Sequence, residues 1–113
     1  MKRDLILFIE DILENIKLIE GSTGSLAKKD FEENLDIRDA TIRRLEIIGE
    51  ATKNIPEEFR GKYPKVEWRE ISGTRDKIIH NYFGVDLDVV WDIIRKDLSE
   101  LKKEIEKILE KEK

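Results

Sequence analysis

The stretch LILFIEDILENIKLIE, residues 5–20, decides the fold class of this chain. Its apolar residues recur in alternating steps of four and three, at Leu5, Ile9, Ile12, Ile16 and Ile19. That spacing places all five side chains on one stripe of an α-helix, which needs a partner helix to cover it. We therefore predict a helix over residues 2–20, ended by the GSTGS segment at residues 21–25.

The same rhythm occurs twice more along the chain. A second helical stretch begins near residue 26, is interrupted around Asn34 and resumes over residues 36–54. Its apolar face consists of Ile37, Thr41, Leu45, Ile48, Thr52 and Ile55. A final helix follows Asp86, whose carboxylate can cap its first turn. Its stripe consists of Leu87, Trp91, Ile94, Leu98, Leu101, Ile105 and Ile108.

The segment between these helices contains shorter elements. Pro56 ends the second helix, and PEEF at residues 56–59 can begin one short extra turn. A shorter helix is predicted over residues 67–82, ending at Gly84, a residue suited to a left-handed C-cap. We expect Trp68 and Trp91 to lie in the core. No alternating strand pattern and no internal repeat occur, so we predict one all-α domain over residues 1–113, an up-and-down bundle of four to five helices.

Composition limits the classes of protein that this chain can represent. Charged residues make up 42% of the sequence, and no apolar run approaches the roughly 20 residues of a membrane-spanning helix. We therefore expect a cytoplasmic protein with no membrane partner. Cysteine is absent, which excludes disulfides and thiolate metal sites. The net charge of −4 disfavours non-specific binding of nucleic acid, so an RNA partner would need a local basic patch. Candidates for that patch are Arg38, Arg43, Arg44, Arg69 and Lys77.

One segment, RDKIIHNY at residues 75–82, carries candidate chemistry. It contains His80, the only histidine of the chain, five residues after Arg75. An imidazole can take a proton from a ribose 2′-hydroxyl or return one to the leaving oxygen, because its pKa lies near neutrality. A guanidinium stabilises the charge that gathers on the phosphate. Alternatively, His80 is a helix-end residue favoured by the helix dipole, and Arg75 is an ordinary exposed side chain.

Helical geometry constrains how these two residues can work together. Five steps of about 100° separate Arg75 from His80 by about 140°, whereas Arg75 and Tyr82 share a face. A straight helix would not bring Arg75 and His80 to one phosphate. Either the helix loosens after Ile79, or two copies of the motif meet across a dimer. The second option fits the long apolar stripes better, so we expect a homodimer with the motif helices near its two-fold axis.

Other polar residues have two interpretations each. Asp76 either orients Arg75 through a charge-assisted hydrogen bond or is simply solvated. Gly49 lies in mid-helix, where glycine costs about 1 kcal/mol, so a close helix approach is the expected reason for it. Glu50 is either solvated or faces the cleft. Four acidic residues of the second helix suggest a di-metal site, namely Asp36, Asp39, Glu46 and Glu50. The chain lacks the Glu-x-x-His pairs of such sites, so we predict no metal.

The motif and its surroundings resemble a known family. Arg75, Asp76, His80 and Tyr82 match the R-x4-H-x-Y form of the HepT family within the HEPN superfamily, including the polar residue after the arginine. The segments DATIRRLEIIGEA (39–51), WREISGT (68–74) and YFGVDLDVVW (82–91) are also similar to that family. The resemblance covers nearly the whole chain and implies a dimeric, HEPN-like helical bundle.

The resemblance also implies an activity and its control. HepT proteins resemble other HEPN ribonucleases and are encoded beside an antitoxin, a small nucleotidyltransferase of the MNT type. The implied roles are RNA cleavage by Arg75 and His80, with Asp76 in support, and adenylylation of Tyr82 by the antitoxin. A nucleotide on Tyr82 would place a bulky anion beside Arg75 and block the phosphate site. No cofactor is implied.

Three functions therefore compete. The leading one is a metal-independent ribonuclease toxin of a toxin–antitoxin system. The second is a non-catalytic helical module that binds a nucleotide or the nucleotidyltransferase, which the acidic net charge favours. The third is an interaction scaffold without a site, which would have no need of both Arg75 and His80.

Overall fold

The helices of the computed structural model follow the predicted order. The structure describes residues 2–80 and 84–113, apart from the side chains of Lys2 and His80. Its elements are α1 (Lys2–Thr23), α2 (Lys28–Glu33), α3 (Leu35–Lys53), α4 (Glu57–Lys62), α5 (Trp68–Ser72), α6 (Thr74–Ile78), β1 (Ile79–His80), β2 (Gly84–Val85), α7 (Leu87–Asp92), a π-helical turn (Ile93–Asp97) and α8 (Leu98–Glu112). The predicted all-α bundle is confirmed, although its helices are divided into shorter pieces than expected.

The core lies where the three long stripes meet, because α1 packs against both α3 and α8. On α1 the isoleucines at positions 9, 12, 16 and 19 are at most 1% exposed. Burying each of these side chains contributes about 1.5–3 kcal/mol relative to leaving it in water. The stripes predicted for α3 and for the last helix are buried or partly buried against the same core. The periodicity therefore identified the core correctly.

Side-chain caps explain where two helices begin. The Asn34 side chain accepts a hydrogen bond from the backbone N–H of Ile37 at 3.1 Å, which starts α3. The Asp86 carboxylate accepts one from the N–H of Val89 at 3.2 Å, which starts α7. Each cap satisfies an N–H that the first helical turn leaves without a partner. The predicted interruption at Asn34 and the predicted cap at Asp86 are both confirmed.

The short helix α4, predicted from the segment that follows Pro56, anchors the end of α3. The Arg60 guanidinium donates from Nη2 to the carbonyl of Thr52 at 2.7 Å and from Nε to that of Ile55 at 3.0 Å. The buried Trp68 indole donates from Nε1 to the carbonyl oxygens of Arg60 and Tyr63, at 3.2 and 3.0 Å. The carbonyls of Thr52, Arg60 and Tyr63 also accept backbone N–H groups, so these side-chain bonds add to the backbone turns that join α3, α4 and the start of α5.

Trp91 lies at the edge of the core rather than inside it. Its ring is partly buried against Phe31, with the ring centroids 5.5 Å apart. The Arg95 guanidinium covers the other part, 4.2 Å from the ring centroid, and donates to the carbonyl of Thr23 at 2.6 Å. Arg95 therefore joins the last helix to the end of α1.

The single helix predicted over residues 67–82 is wrong. Gly73 separates α5 from α6, and α6 ends at Ile78, after which Ile79 is extended with φ −106° and ψ 119°. Two β-branched residues in succession weaken the helix locally. The decisive contacts come from later in the chain. The backbone N–H of Asp86 donates to the Ile78 carbonyl at 2.7 Å, and β1 pairs antiparallel with β2.

The predicted helix cap at Gly84 is wrong, because α6 ends at Ile78 and Gly84 begins β2. Its φ of +79° lies in the left-handed region, as predicted, where a side chain would be strained. Within the described residues, no helix has both the length and the apolar character that crossing a membrane requires.

Candidate active site

Arg75 extends from the first turn of α6 into solvent. Its side chain is 63% exposed. The preceding residue, Thr74, is buried, and its hydroxyl donates to the carbonyl of Ile71 at 2.7 Å. This bond ties the start of α6 to α5, so the backbone of Arg75 has a fixed place while its side chain is largely exposed to solvent.

A carboxylate on α3 holds one edge of the Arg75 guanidinium. Arg75 Nε donates to Glu46 Oε2 at 3.3 Å, and the Glu46 side chain is only 23% exposed. No hydrogen bond joins either Nη group to another of the described residues, so their four N–H donors can meet an anion. The arrangement therefore suits bidentate recognition of a phosphate group.

Close packing of α5 on α3 brings this pair together. A Cβ added to Gly49 would lie 3.3 Å from the carbonyl oxygen of Ile71 and 3.8 Å from that of Ser72. The predicted reason for Gly49, a close helix approach, is confirmed. Glu46 lies one turn before Gly49 on the same face of α3, and Arg75 follows closely after Ile71 and Ser72.

The structure describes His80 through its backbone alone. His80 lies in β1 and pairs with Gly84 across the two-stranded ladder. Because α6 ends at Ile78, Arg75 and His80 belong to different elements, and the 140° separation expected on one helix does not apply. The sequence left two options open, and the structure shows the first, a helix that ends before His80. The second, two motifs meeting across a dimer, stays a prediction. Tyr82 lies outside the described residues, and its role stays a prediction.

The remaining candidates divide into exposed and engaged side chains. Asp76 is exposed, and the hydrogen bond of Arg75 goes to Glu46. Glu50 is exposed and lies 3.4 Å from Lys53, one turn further along α3. These positions favour the solvated interpretation for both acidic residues.

The predicted basic patch is only partly available for a ligand. Arg38 donates to the carbonyl of Glu32 at 3.2 Å, and Arg44 donates to the Ser22 hydroxyl at 3.4 Å, so both are engaged within the fold. The other predicted members, Arg43, Arg69 and Lys77, are exposed.

The opposite flank of α6 borders a groove of about 520 Å³. Lys77, which is about 200° around the helix from Arg75, lies on this groove. Among the described residues, five carboxylates and three lysines line it. Glu70 raises the pKa of Glu67 through a side-chain hydrogen bond and through its charge. A rim with excess negative charge disfavours an RNA backbone. Electrostatics therefore favour the Arg75 flank as the phosphate-binding side.

Comparison with known families identifies the family of this chain. The sequence profile of a family described as HepT-like, ribonuclease HepT-like, matches residues 12–108 of this chain. The chain belongs to the HepT-like ribonuclease family. This match includes all of α3, α5 and α6, and therefore every residue of the candidate site.

Individual HepT-like relatives are similar over nearly the whole chain. A Thermococcus cleftensis protein named "Probable ribonuclease HepT" is 46% identical over 108 residues, which cover 96% of this chain and 98% of that protein. A Caldanaerobacter subterraneus protein named "Putative RNase" is 44% identical over 106 residues, covering 94% and 95%.

A third relative is longer than this chain. A Methanocaldococcus jannaschii protein named "Gamma-glutamylcyclotransferase and putative RNase" is 47% identical over 110 residues. Those residues cover 97% of this chain but 50% of that protein, so the chain spans half of its length. No solved structure matches the chain significantly.

Glu46 is the residue of this HepT-like site that sequence reasoning missed. By sequence, Glu46 belongs only to the acidic residues that suggest a di-metal site, and the lack of Glu-x-x-His pairs argues against such a site. Twenty-nine residues separate it from Arg75, so no local spacing relates the two. The available signal was its place one turn before Gly49, the point at which a neighbouring backbone had been expected to approach.

Proposed function

We propose that this chain is a metal-independent endoribonuclease, the toxin of a HepT–MNT type toxin–antitoxin system. The observation that carries the proposal is the exposed guanidinium of Arg75, which Glu46 holds through Nε while neither Nη group bonds to another described residue. It stands at the start of the R-x4-H-x-Y motif of a HepT-like chain. Its relatives include proteins whose names describe them as RNases.

The proposed chemistry is an intramolecular transesterification, in which the phosphorus is transferred from the 5′-oxygen to the neighbouring 2′-oxygen. His80 takes the proton of a ribose 2′-hydroxyl, or returns a proton to the leaving 5′-oxygen. The 2′-oxygen attacks the adjacent phosphorus, the bond to the 5′-oxygen breaks, and a 2′,3′-cyclic phosphate forms. Arg75 binds the non-bridging oxygens and stabilises the charge that they gain in the transition state.

Control of this activity is proposed to act through Tyr82. An MNT-type nucleotidyltransferase antitoxin would transfer adenylyl groups from ATP, with the phenol oxygen attacking the α-phosphorus and pyrophosphate leaving. The resulting phosphodiester is anionic, so it would compete with RNA for Arg75. The toxin is further proposed to be a cytoplasmic homodimer.

Cleavage of total RNA by the purified chain in the presence of EDTA tests the proposal. Arg75→Ala and His80→Ala should each lose activity by about two orders of magnitude or more. Arg3→Ala is the control, because Arg3 is an exposed arginine on α1, outside the motif. Cleavage that disappears with EDTA would contradict the metal-free mechanism, and full activity in His80→Ala would remove its catalytic role.

A non-catalytic binding module is the second candidate. The net charge of −4 and the acidic rim of the groove favour it, because both weaken attraction of RNA. In that case the chain would bind a nucleotide or the nucleotidyltransferase while leaving RNA intact. Titration calorimetry with ATP and with the partner, beside the cleavage assay, separates the two functions.

A further inference from the structure

In the Arg75–Glu46 pair, an exposed side chain with many rotatable bonds contacts a carboxylate that is mostly covered. Arginine has several rotatable bonds and, at 63% exposure, few neighbours to restrict them. Glu46 lies in the middle of the 19-residue helix α3, next to the buried Leu45, and its own side chain is mostly covered. The carboxylate is therefore the better-ordered partner, and it limits where the guanidinium can go.

The geometry of the Arg75–Glu46 pair predicts a small effect on stability and a larger effect on the rate of cleavage. At 3.3 Å the bond is longer than the 2.7–2.9 Å of strong charge-assisted bonds, and Arg75 is largely solvated. Such exposed pairs add little to stability. Misplacement of a reacting group by about 1 Å, in contrast, can lower a rate by about a hundredfold. Loss of Glu46 should therefore affect turnover much more than folding.

The charge of Glu46 has a second consequence. A carboxylate this close to the phosphate-binding guanidinium repels the RNA backbone as well as orienting Arg75. Removing the negative charge should leave RNA binding unchanged or make it tighter, while turnover falls. A residue that only stabilised the fold would not produce this opposition between binding and rate.

We infer that Glu46 is a positioning residue, which fixes the Nε edge of Arg75 so that both Nη groups face the scissile phosphate. This inference rests on the proposed ribonuclease function. Glu46 touches neither RNA nor the reacting atoms, and it acts through Arg75.

Kinetics of Glu46→Gln, with Glu50→Gln as matched control, test the inference. Glu50 lies one turn further along α3 and is exposed, so its substitution removes the same charge outside the site. For Glu46→Gln we expect kcat to fall by roughly ten- to a hundredfold with KM unchanged or lower, and for Glu50→Gln no change. The same substitution should not lower the cleavage rate further when Arg75 is already alanine. This rate is measured in single turnovers with enzyme in excess over RNA.

Three kinetic results would overturn the positioning role. The first is equal activity of Glu46→Gln and Glu50→Gln. The second is a raised KM with a normal kcat in Glu46→Gln. The third is that Glu46→Gln lowers the rate by the same factor in the wild type and in Arg75→Ala. If the wild-type chain does not cleave RNA, the proposed function fails, and NMR decides the pairing separately. The Arg75 Nε–H signal, assigned by its loss in Arg75→Lys, should then exchange with water faster in Glu46→Gln than in Glu50→Gln. Equal exchange rates would refute the pairing itself.

Discussion

The carbonyl oxygen of Ile71 lies 3.3 Å from the point that a β-carbon on Gly49 would occupy. At this contact the backbone of α5 rests on α3 where α3 has no side chain. The contact sets the position of α5 along α3, and α6 continues from it with Arg75 in its first turn. One missing methyl group thus determines the place of the guanidinium relative to Glu46.

Replacing Gly49 by alanine should reduce activity more than stability. Alanine favours the helix by about 1 kcal/mol, but its Cβ would press on the Ile71 carbonyl, so α5 must move by a few tenths of an ångström. We expect the free energy of unfolding to change by less than about 1 kcal/mol because the two effects oppose each other. We expect RNA cleavage to fall about tenfold. Urea unfolding and initial rates measure the two quantities.

Gly21→Ala is the control for this substitution. Gly21 lies in α1, and no neighbouring atom lies within 4 Å of an added Cβ. Gly21→Ala should raise the free energy of unfolding by about 1 kcal/mol at most, through the higher helix propensity of alanine, and should keep full activity. Normal cleavage by Gly49→Ala would show that the α3–α5 contact does not control the site.

The chain is predicted to form a homodimer. The apolar stripe of α1, which favours a dimer by sequence, is largely buried within one chain. Arg75 and His80 lie in different elements, so their separation on one helix no longer requires a site shared by two chains. Leu7 and Leu18 remain 49% and 44% exposed on one side of α1. Light scattering at micromolar concentration should give twice the mass of one chain. A monomer mass would disprove the dimer without affecting the proposed cleavage.

Tyr82 is predicted to be the point of regulation. Incubation with the partner nucleotidyltransferase and ATP should add adenylyl mass to the chain and abolish RNA cleavage. Tyr82→Phe lacks the acceptor oxygen, so it should remain active after the partner is removed. Intact-mass spectrometry measures the modification, and equal adenylylation of wild type and Tyr82→Phe would place the acceptor elsewhere.

Alkaline pH should weaken the attachment of α8 to the segment after α4. Burial and the hydrogen bond that the Tyr63 hydroxyl donates to Glu112 raise the pKa of Tyr63 from 10.0 to about 12. Because the folded-state pKa is the higher one, this stabilisation is complete below pH 10 and is lost between about pH 10 and 12. The wild-type advantage over Tyr63→Phe in thermal unfolding should shrink over that interval. A constant difference would contradict the shift.

Core packing on α1 should dominate stability. Ile16 is fully buried, so Ile16→Ala should lower the free energy of unfolding by about 2–5 kcal/mol through lost burial and a cavity. Leu18, two residues away and 44% exposed, is the control. Leu18→Ala should change the free energy of unfolding by about 0.5 kcal/mol or less. Denaturant titrations compare the two. Similar losses would mean that Leu18 is covered in solution, as in a dimer.

The sequence alone determined the long helices, their buried faces and several of their ends. These features depend on local rules, namely the four-three spacing, the side-chain caps of Asn34 and Asp86 and the interruption at Pro56. The R-x4-H-x-Y motif likewise pointed to Arg75, His80 and Tyr82, because its pattern lies within eight consecutive residues.

Only the tertiary structure decided where α6 ends and what Arg75 contacts. The end at Ile78 depends on a hydrogen bond from Asp86 and on the pairing of β1 with β2, both formed by residues later in the chain. The bond to Glu46 spans 29 residues and exists because Gly49 lets α5 approach α3. Helical periodicity describes neighbours within a few residues, whereas these contacts depend on how whole helices pack.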